Sequence, residues 1–299
     1  MDTSIISLIG NTPIVRVSRL SKSVGAEIYV KLEYLNPTGS HKDRIAYYMI
    51  KDAERRGLIK PGDTVVEASS GNTAISVAWV SSILGYRAEI FVEEGVSEAK
   101  ISLIKSLGAK VIKVPSLSEE SYVQAAMKYA EEHGYVFLNQ YDNEANVRAH
   151  YETTGPEIYR QLNGRIDAFV MGIGTGGTIA GVGRFLREKL GGRVKIIGVT
   201  PKNSMIAGGG AASEKIEGLA SDMVPGIWER YHELVDEVIE VGYDEALQAM
   251  RRLIRYEGVI GGLSAGANIH ASLKVAEELE GGVVVTLAPD SILRYPHLL

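Results

Sequence analysis

Short, mainly apolar runs constrain this chain most. Thr64-Val65-Val66-Glu67, Arg87–Val92, Lys110–Val114, Ala168–Met171, Val194–Val199 and Val283–Leu287 are strand-length, and segments of helical period stand between them. A strand apolar at every position is covered on both faces, and a helix of ten or more residues is what returns the chain for a parallel neighbour. Ile14–Val17 and Glu27–Leu32 read as further strands, as does Tyr135–Leu138. Helices are expected over Lys42–Arg56, Ala74–Leu84, Glu98–Leu107, Glu119–Glu132, Val147–Leu162, a segment ending near Leu190, Tyr243–Tyr256 and one opening at Ser264. The expectation is an α/β protein of two three-layer αβα domains with open, mostly parallel twisted sheets. The polar stretch Gln140–Glu144 marks the crossing. Residues 35–145, with 1–12, would form the smaller domain, and 146–299, with 13–34, the larger. The Gly-rich segment Ala207–Ala212 reads as a mobile surface loop.

In open α/β sheets ligands collect where strands end and helices begin. Three such junctions are polar or glycine-rich. Gly172-Ile173-Gly174-Thr175-Gly176-Gly177-Thr178 lets backbone amides approach an anion at a helix start. No Gly-Lys-Ser/Thr follows, so it is not a Walker loop. Gly172, Gly174 and Gly177 match a dinucleotide fingerprint, yet the next strand ends Val199-Thr200-Pro201 without the carboxylate that binds a ribose. A phosphate without an adenosine ribose fits better. Ser69-Ser70-Gly71-Asn72-Thr73 has amides and hydroxyls suited to a carboxylate, though helix capping by Ser70 or Asn72 explains one or two of them. Ser264 stands at a third helix start and reads, from its loop alone, as an N-cap.

The last candidate is Asn36-Pro37-Thr38-Gly39-Ser40-His41-Lys42-Asp43-Arg44. Ser40 and Asp43 have capping-box spacing, which puts Lys42 in the first helical turn. A cation is disfavoured at the positive end of the helix dipole, so the pKa of Lys42 should be lowered. A neutral amine is what attack on a carbonyl requires. The competing reading is a solvated surface lysine.

Composition narrows the chemistry. A net charge of −5 argues against nucleic acid as a partner. The chain has no cysteine, which removes disulfides, thiol nucleophiles and cysteine-bound metal and fits a cytoplasmic protein. No metal site is expected. No apolar run approaches a membrane span, and Met1-Asp2-Thr3-Ser4 lacks signal-peptide character. Glutamine occurs only at Gln124, Gln140, Gln161 and Gln248, which suggests a thermophilic source.

In order along the chain, Leu8-Ile9-Gly10-Asn11-Thr12-Pro13, the Lys42 loop, Ser70–Thr73, Gln140–Asn143, Thr154-Gly155-Pro156-Glu157-Ile158, Gly174–Thr178, Gly218–Pro225 and Ser264–Gly266 resemble the cysteine synthase family, O-acetylserine sulfhydrylases of the fold-type II enzymes that use pyridoxal 5′-phosphate (PLP). The resemblance implies a tryptophan synthase β-subunit-like fold with the site in the cleft between the domains. It implies that Lys42 bonds the cofactor and later moves the α-proton. Asn72 would meet the ring hydroxyl, Gly174, Thr175, Gly176, Gly177 and Thr178 the phosphate, and Ser264 the pyridine nitrogen. Ser69, Ser70, Gly71, Thr73 and Gln140, with Asn72, would clasp the substrate carboxylate. The implied reaction is β-replacement: O-acetyl-L-serine, or a related activated serine, plus sulfide gives L-cysteine. A homodimer, and a serine acetyltransferase tail docking in the site, would also follow.

Some positions depart from the family pattern. His41 replaces a small apolar residue, and Phe91–Ser97 replaces a Met-Pro-Glu-type segment. Glu217-Gly218 and Asp222 look closer to cystathionine β-synthases, which leaves homocysteine as an alternative to sulfide. No arginine lies in Lys215–Pro225, where relatives that use O-phosphoserine carry one. That absence favours O-acetylserine over O-phosphoserine; cystathionine β-synthase activity and a serine or O-phosphoserine sulfhydrylase remain the alternatives on the same scaffold.

Overall fold

The computed structural model describes residues 4–115, 121–210, 214–220, 222–279, 281–295 and 298. Ser221 of the Gly218–Pro225 stretch, residues 119–120 of the expected fourth helix, and residues 211–212 of the Gly-rich loop lie outside the described residues.

The chain divides into two compact units. One comprises Met1–Ile9 and Lys42–Asn146, the other Gly10–His41 and Val147–Leu299.

Among the described residues, the first unit contains a four-stranded sheet in the order β5 (Lys110–Val114), β4 (Arg87–Glu93), β3 (Thr64–Ala68), β6 (Val136–Phe137), with every pairing parallel. Its helices are α1 (Lys42–Arg55), α2 (Asn72–Leu84), α3 (Glu98–Ser106) and α4 (Tyr122–His133). β3 is buried along its whole length. Val66 and Ala68 pack with Phe91, Val114, Ala126 and Ala130 on the α4 side. Gly57, just past α1, adopts φ +71°, the left-handed position expected of it.

The second unit is built on a six-stranded sheet in the order β1 (Ile14–Arg16), β2 (Glu27–Leu32), β10 (Val283–Ala288), β7 (Ala168–Gly172), β8 (Lys195–Pro201), β9 (Glu237–Val241). Only the β1–β2 pair is antiparallel. The unbroken apolar pattern of β7 has a direct cause. Ala168 and Val170 enter one core with Val30, Val199, Met250 and Ala265, while Phe169 and Met171 enter the other with Ile158, Ile179, Val182 and Leu186. Helices α9 (Tyr243–Glu257) and α10 (Leu263–Glu278) cover the first face; α6 (Gly155–Gln161) and α7 (Gly177–Leu190) cover the second.

Two differences from the sequence reading have physical reasons. The helix expected over Val147–Leu162 is three pieces: α5 (Glu144–Ala149), a π turn at His150–Thr154, and α6. Pro156 supplies no amide for an unbroken ladder, and it sits in the first turn of α6, where none is needed. A short helix, α8 (Gly226–Tyr231), and β9 fall in a stretch whose periodicity gave no strand or helix. β9 is a sheet edge, and exposed glutamates interrupt its apolar residues.

Candidate active site

In the first unit, Lys42 is the first residue of α1 and is half-buried. Its neighbours Asp43 and Arg44 are buried, and Ser76 of α2 donates to Asp43 Oδ1 at 2.7 Å. The side chain after the lysine is thus fixed against α2, which limits how α1 can rotate. β3 leads into Ser69–Thr73. Here capping does not use up the polar side chains: α2 starts at Asn72, and its N-cap is Gly71, which has none to offer. Ser69 Oγ accepts the Gly71 amide at 3.2 Å. Thr73 donates to Gln140 Oε1 at 2.6 Å, and Gln140 Nε2 donates to the Ala68 carbonyl at 3.2 Å. Asn146 donates to the Gln140 carbonyl at 2.7 Å. Gln140 is therefore locked to both ends of the Ser69–Thr73 loop, as a single carboxylate-binding surface would require.

In the second unit, the segment that delivers the chain to Lys42 is latched from behind. The Gly10 amide donates to Asn36 Oδ1 at 2.8 Å, and Asn36 and Thr12 both bond the Glu33 carboxylate. Gly39, at φ +88°, donates its amide to the Asn36 carbonyl at 2.8 Å and closes the turn. Ser40 bridges to Asp290, and the His41 amide donates to the Pro289 carbonyl at 3.0 Å. Buried Lys31 pairs with Glu157 at 2.8 Å and donates to the Thr12 carbonyl at 2.9 Å, which ties α6 to the opening motif. The Glu of the Thr154–Ile158 motif thus has a structural duty.

The Gly172–Thr178 junction also lies in this unit. Gly176, at φ +86°, is the N-cap of α7, whose first-turn amides have no intrahelical partner. A Cβ on Gly174 would lie 2.4 Å from the Gly218 carbonyl oxygen, so the backbones of two loops meet at a spacing only glycine permits. The Ala220 amide donates to the Ile173 carbonyl at 2.8 Å and clamps the Gly218 loop onto this one. Backbone amides, the buried hydroxyls of Thr175 and Thr178 and the positive end of α7 form a donor set that fits a phosphate. Ser264 is buried and is the second residue of α10, not its cap, which is Gly262. Its hydroxyl lies against Gly218, 3.9 Å from where a Cβ would be. A buried hydroxyl not used as a cap fits a heteroaromatic nitrogen.

A layer beneath the phosphate-type junction escaped the sequence reading. Fully buried His150 meets Thr154 Oγ1 through Nδ1 at 2.9 Å and Thr178 Oγ1 through Nε2 at 3.1 Å. His41 lies 5.8 Å from it, ring centre to ring centre. The sequence signal was Gly181: a Cβ there would lie 2.3 Å from the Val147 carbonyl and 2.7 Å from His150 Cβ, so the π turn packs onto α7 only over a glycine.

The family profile described as "Pyridoxal-phosphate dependent enzyme" matches residues 5–290. The chain belongs to the pyridoxal-phosphate-dependent enzyme family. A cysteine synthase from Staphylococcus aureus is 42% identical over 98% of this chain and 94% of that protein. A cystathionine beta-synthase from Apis mellifera is also 42% identical, over 97% of this chain but 60% of that protein. The crystal structure of O-ureido-L-serine synthase matches with a TM-score of 0.92 at 38% identity, covering 99% of this chain and 93% of that one. The α/β fold with mostly parallel sheets is that of the fold-type II enzymes, and PLP is the cofactor. Among the described residues no helix is long and apolar enough to cross a membrane.

Proposed function

We propose that this family member makes L-cysteine by β-replacement, from O-acetyl-L-serine or a related activated serine and sulfide. The observation that carries the reading is the near-full-length likeness to a cysteine synthase, 42% identity over 98% and 94% of the two chains. The geometry of each unit supports it. Bound PLP supplies an electron sink that lets the substrate α-hydrogen leave as a proton. Lys42 holds the cofactor and, once freed, takes that α-proton at Nζ and later returns one. A helix start disfavours a charged lysine, which suits an amine that serves as base and then as acid. Ser69, Ser70, Asn72, Thr73 and Gln140 hold the α-carboxylate, with the Thr73–Gln140 bond fixing the two halves of the clasp. Asn72 also meets the cofactor's ring hydroxyl. Gly174–Thr178 grip the phosphate through backbone amides and two hydroxyls. Ser264 would face the ring nitrogen, where a neutral hydroxyl, unlike a carboxylate, brings no negative charge to hold a proton there; that would favour loss of the β-substituent.

A second reading rests on Glu217-Gly218 and Asp222, whose carboxylate lies 3.4 Å from Lys215 Nζ. Charged groups on that loop fit a larger, charged thiol such as homocysteine, and the bee cystathionine beta-synthase is as similar as the bacterial cysteine synthase. Offering O-acetylserine, O-phosphoserine and serine, each with sulfide or homocysteine, separates the two. A kcat/KM larger with O-acetylserine and sulfide than with every other pair is expected; a large preference for homocysteine overturns the reading. Homodimer assembly, a cytoplasmic setting, a thermophilic source and docking of a serine acetyltransferase tail belong to the same proposal. Sedimentation tests the dimer, melting temperature the thermophilic source, titration with a carboxyl-terminal peptide of an acetyltransferase the docking, and cell fractionation the cytoplasmic setting.

A further inference from the structure

Glu67 is the last carboxylate before the Ser69–Thr73 loop, and none of the roles above uses it. It lies within β3, opposite Ile90 of β4, and has no exposed surface. Its Oε1 accepts the Ala68 amide at 2.9 Å, while Oε2 has no hydrogen-bond partner among the described residues. The other side of Ala68 is also held, because its carbonyl accepts Gln140 Nε2 at 3.2 Å. Gln140 in turn accepts from Thr73 at 2.6 Å. The Ala68 peptide is therefore gripped at its amide by Glu67 and at its carbonyl by the residue that fastens the far end of the loop.

We propose that Glu67 is a positioning residue for the substrate-carboxylate loop, acting as an uncharged carboxylic acid whose ionisation weakens the loop's hold on an amino-acid carboxylate. This rests on the reading of Ser69–Thr73 and Gln140 as the carboxylate clasp. Two physical reasons support it. An ionised Glu67 would place a buried negative charge directly behind amides meant to receive another negative charge. A charge on Oε2 would also have no hydrogen-bond partner to receive it among the described residues. The groups whose charges act on it are few. Lys42 of α1 favours ionisation, and Tyr141, half-buried after β6 and bonded to Tyr122 at 3.2 Å, feels both Glu67 and Glu93. Val66 and Ala68 take the α4 side of β3, so Glu67 faces the other side; Ile90 of β4 and the whole of α2 bring no charge there, and α1 carries buried Asp43 and Arg44 beside Lys42. Burial outweighs Lys42 and the backbone amides of Ala68 and Gln140 and pushes the carboxyl up to about 8, so the acid form dominates at neutral pH.

The test compares the parent holoenzyme with Glu67→Gln, which keeps an oxygen for the Ala68 amide and cannot ionise. The ratio of the two KM values for O-acetylserine cancels titration of the substrate itself. It is expected to be flat below neutral pH and to rise about tenfold per unit above about pH 8, while the kcat ratio stays constant. A ratio flat from pH 6.5 to 9.5, or a change carried by kcat, overturns the proposal. Thermal melts give a readout independent of turnover. A carboxyl whose pKa is raised on folding loses stability as pH climbs from its ordinary value of 4.5 towards about 8. The melting temperature of Glu67→Gln is therefore expected to gain on the parent across that window and to hold its lead above it; a constant difference overturns the proposal. If Glu67→Gln does not fold, Glu67→Met serves: it removes both charge and acceptor, and a KM raised severalfold with no alkaline limb is expected, a persisting alkaline limb being the overturning result. Thr73→Val separates the two layers of inference. If it leaves KM unchanged, the carboxylate reading of the loop has failed; if it raises KM while the Glu67→Gln ratio stays flat, only the Glu67 proposal has failed.

Discussion

Two junctions of similar placement, Ser69–Thr73 after β3 and Gly172–Thr178 after β7, solve opposite problems. Both follow a fully buried parallel strand and open a helix whose N-cap is glycine. In the first the glycine is extended, at φ −121°; Ser69 and Thr73 are buried, with Thr73 tied to Gln140, while Ser70 and Asn72 are half-buried. In the second the cap is left-handed, the hydroxyls of Thr175 and Thr178 are buried, and a neighbouring backbone sits where a Cβ of Gly174 would be. Donors on partly exposed side chains such as Ser70 and Asn72 suit a group that enters and leaves at each turnover. Backbone amides fixed by close packing suit a phosphate that stays, because nothing needs reordering to receive it. The same local plan, strand then glycine then helix, would on the proposed reading serve a transient carboxylate or a resident phosphate according to which atoms carry the donors.

The sharpest break between the two regions comes from Lys42. Lys42→Ala is expected to lower kcat by about 10³-fold or more, the scale of a lost acid–base group, and to abolish the lysine-bound cofactor's visible absorbance. A variant retaining that absorbance would remove the lysine from the chemistry while leaving both junctions intact. Next in size, Gly174→Ala must displace the Gly218 carbonyl, 2.4 Å from the new methyl. A loss of about 1–3 kcal/mol is expected, read as lower melting temperature and weaker PLP binding by titration, with KM for the amino acid little changed once cofactor is saturating. Thr73→Val probes the other junction. It removes the donor to Gln140 Oε1 and leaves that oxygen buried, which should raise KM for O-acetylserine by about 10-fold at nearly constant kcat. PLP affinity should not move; a parallel loss of cofactor would show that the two junctions do not divide the work as described. Ser69→Ala is the mildest. Its hydroxyl accepts one long amide bond from Gly71, so a KM increase of about threefold or less is expected from steady-state kinetics.

Much of this was legible along the chain because the signals are local. Period and glycine placement marked β7, α7 and the junction between them, and the strand end Val199-Thr200-Pro201 correctly lacked a ribose-binding carboxylate. The lysine at the start of α1 was visible for the same reason. What was not legible depends on distant partners. Nothing near Glu157 in sequence announces Lys31, and nothing near His150 announces Thr178. Ser264 looked like an N-cap because caps and site serines share the same local sequence; only the backbone shows that Gly262 takes the cap. The helix expected over Val147–Leu162 is interrupted where apolar spacing gives no sign of it, at a π turn that packs His150 against Gly181 of α7.

The sequence by itself determined the alternation of strands and helices, the parallel sheets that follow from strands apolar on both faces, and the positions of the lysine, the hydroxyl-rich loop and the glycine loop. These are consequences of residue type at short range. Tertiary structure alone decided which polar atoms remain available for chemistry. It turned Glu157 into half of a buried ion pair, fastened Gln140 to Thr73, and buried Glu67 within β3 just before the loop. The free energy of a polar group is set by whether water or a partner reaches it, and that is fixed by residues far away in the chain that folding brings alongside.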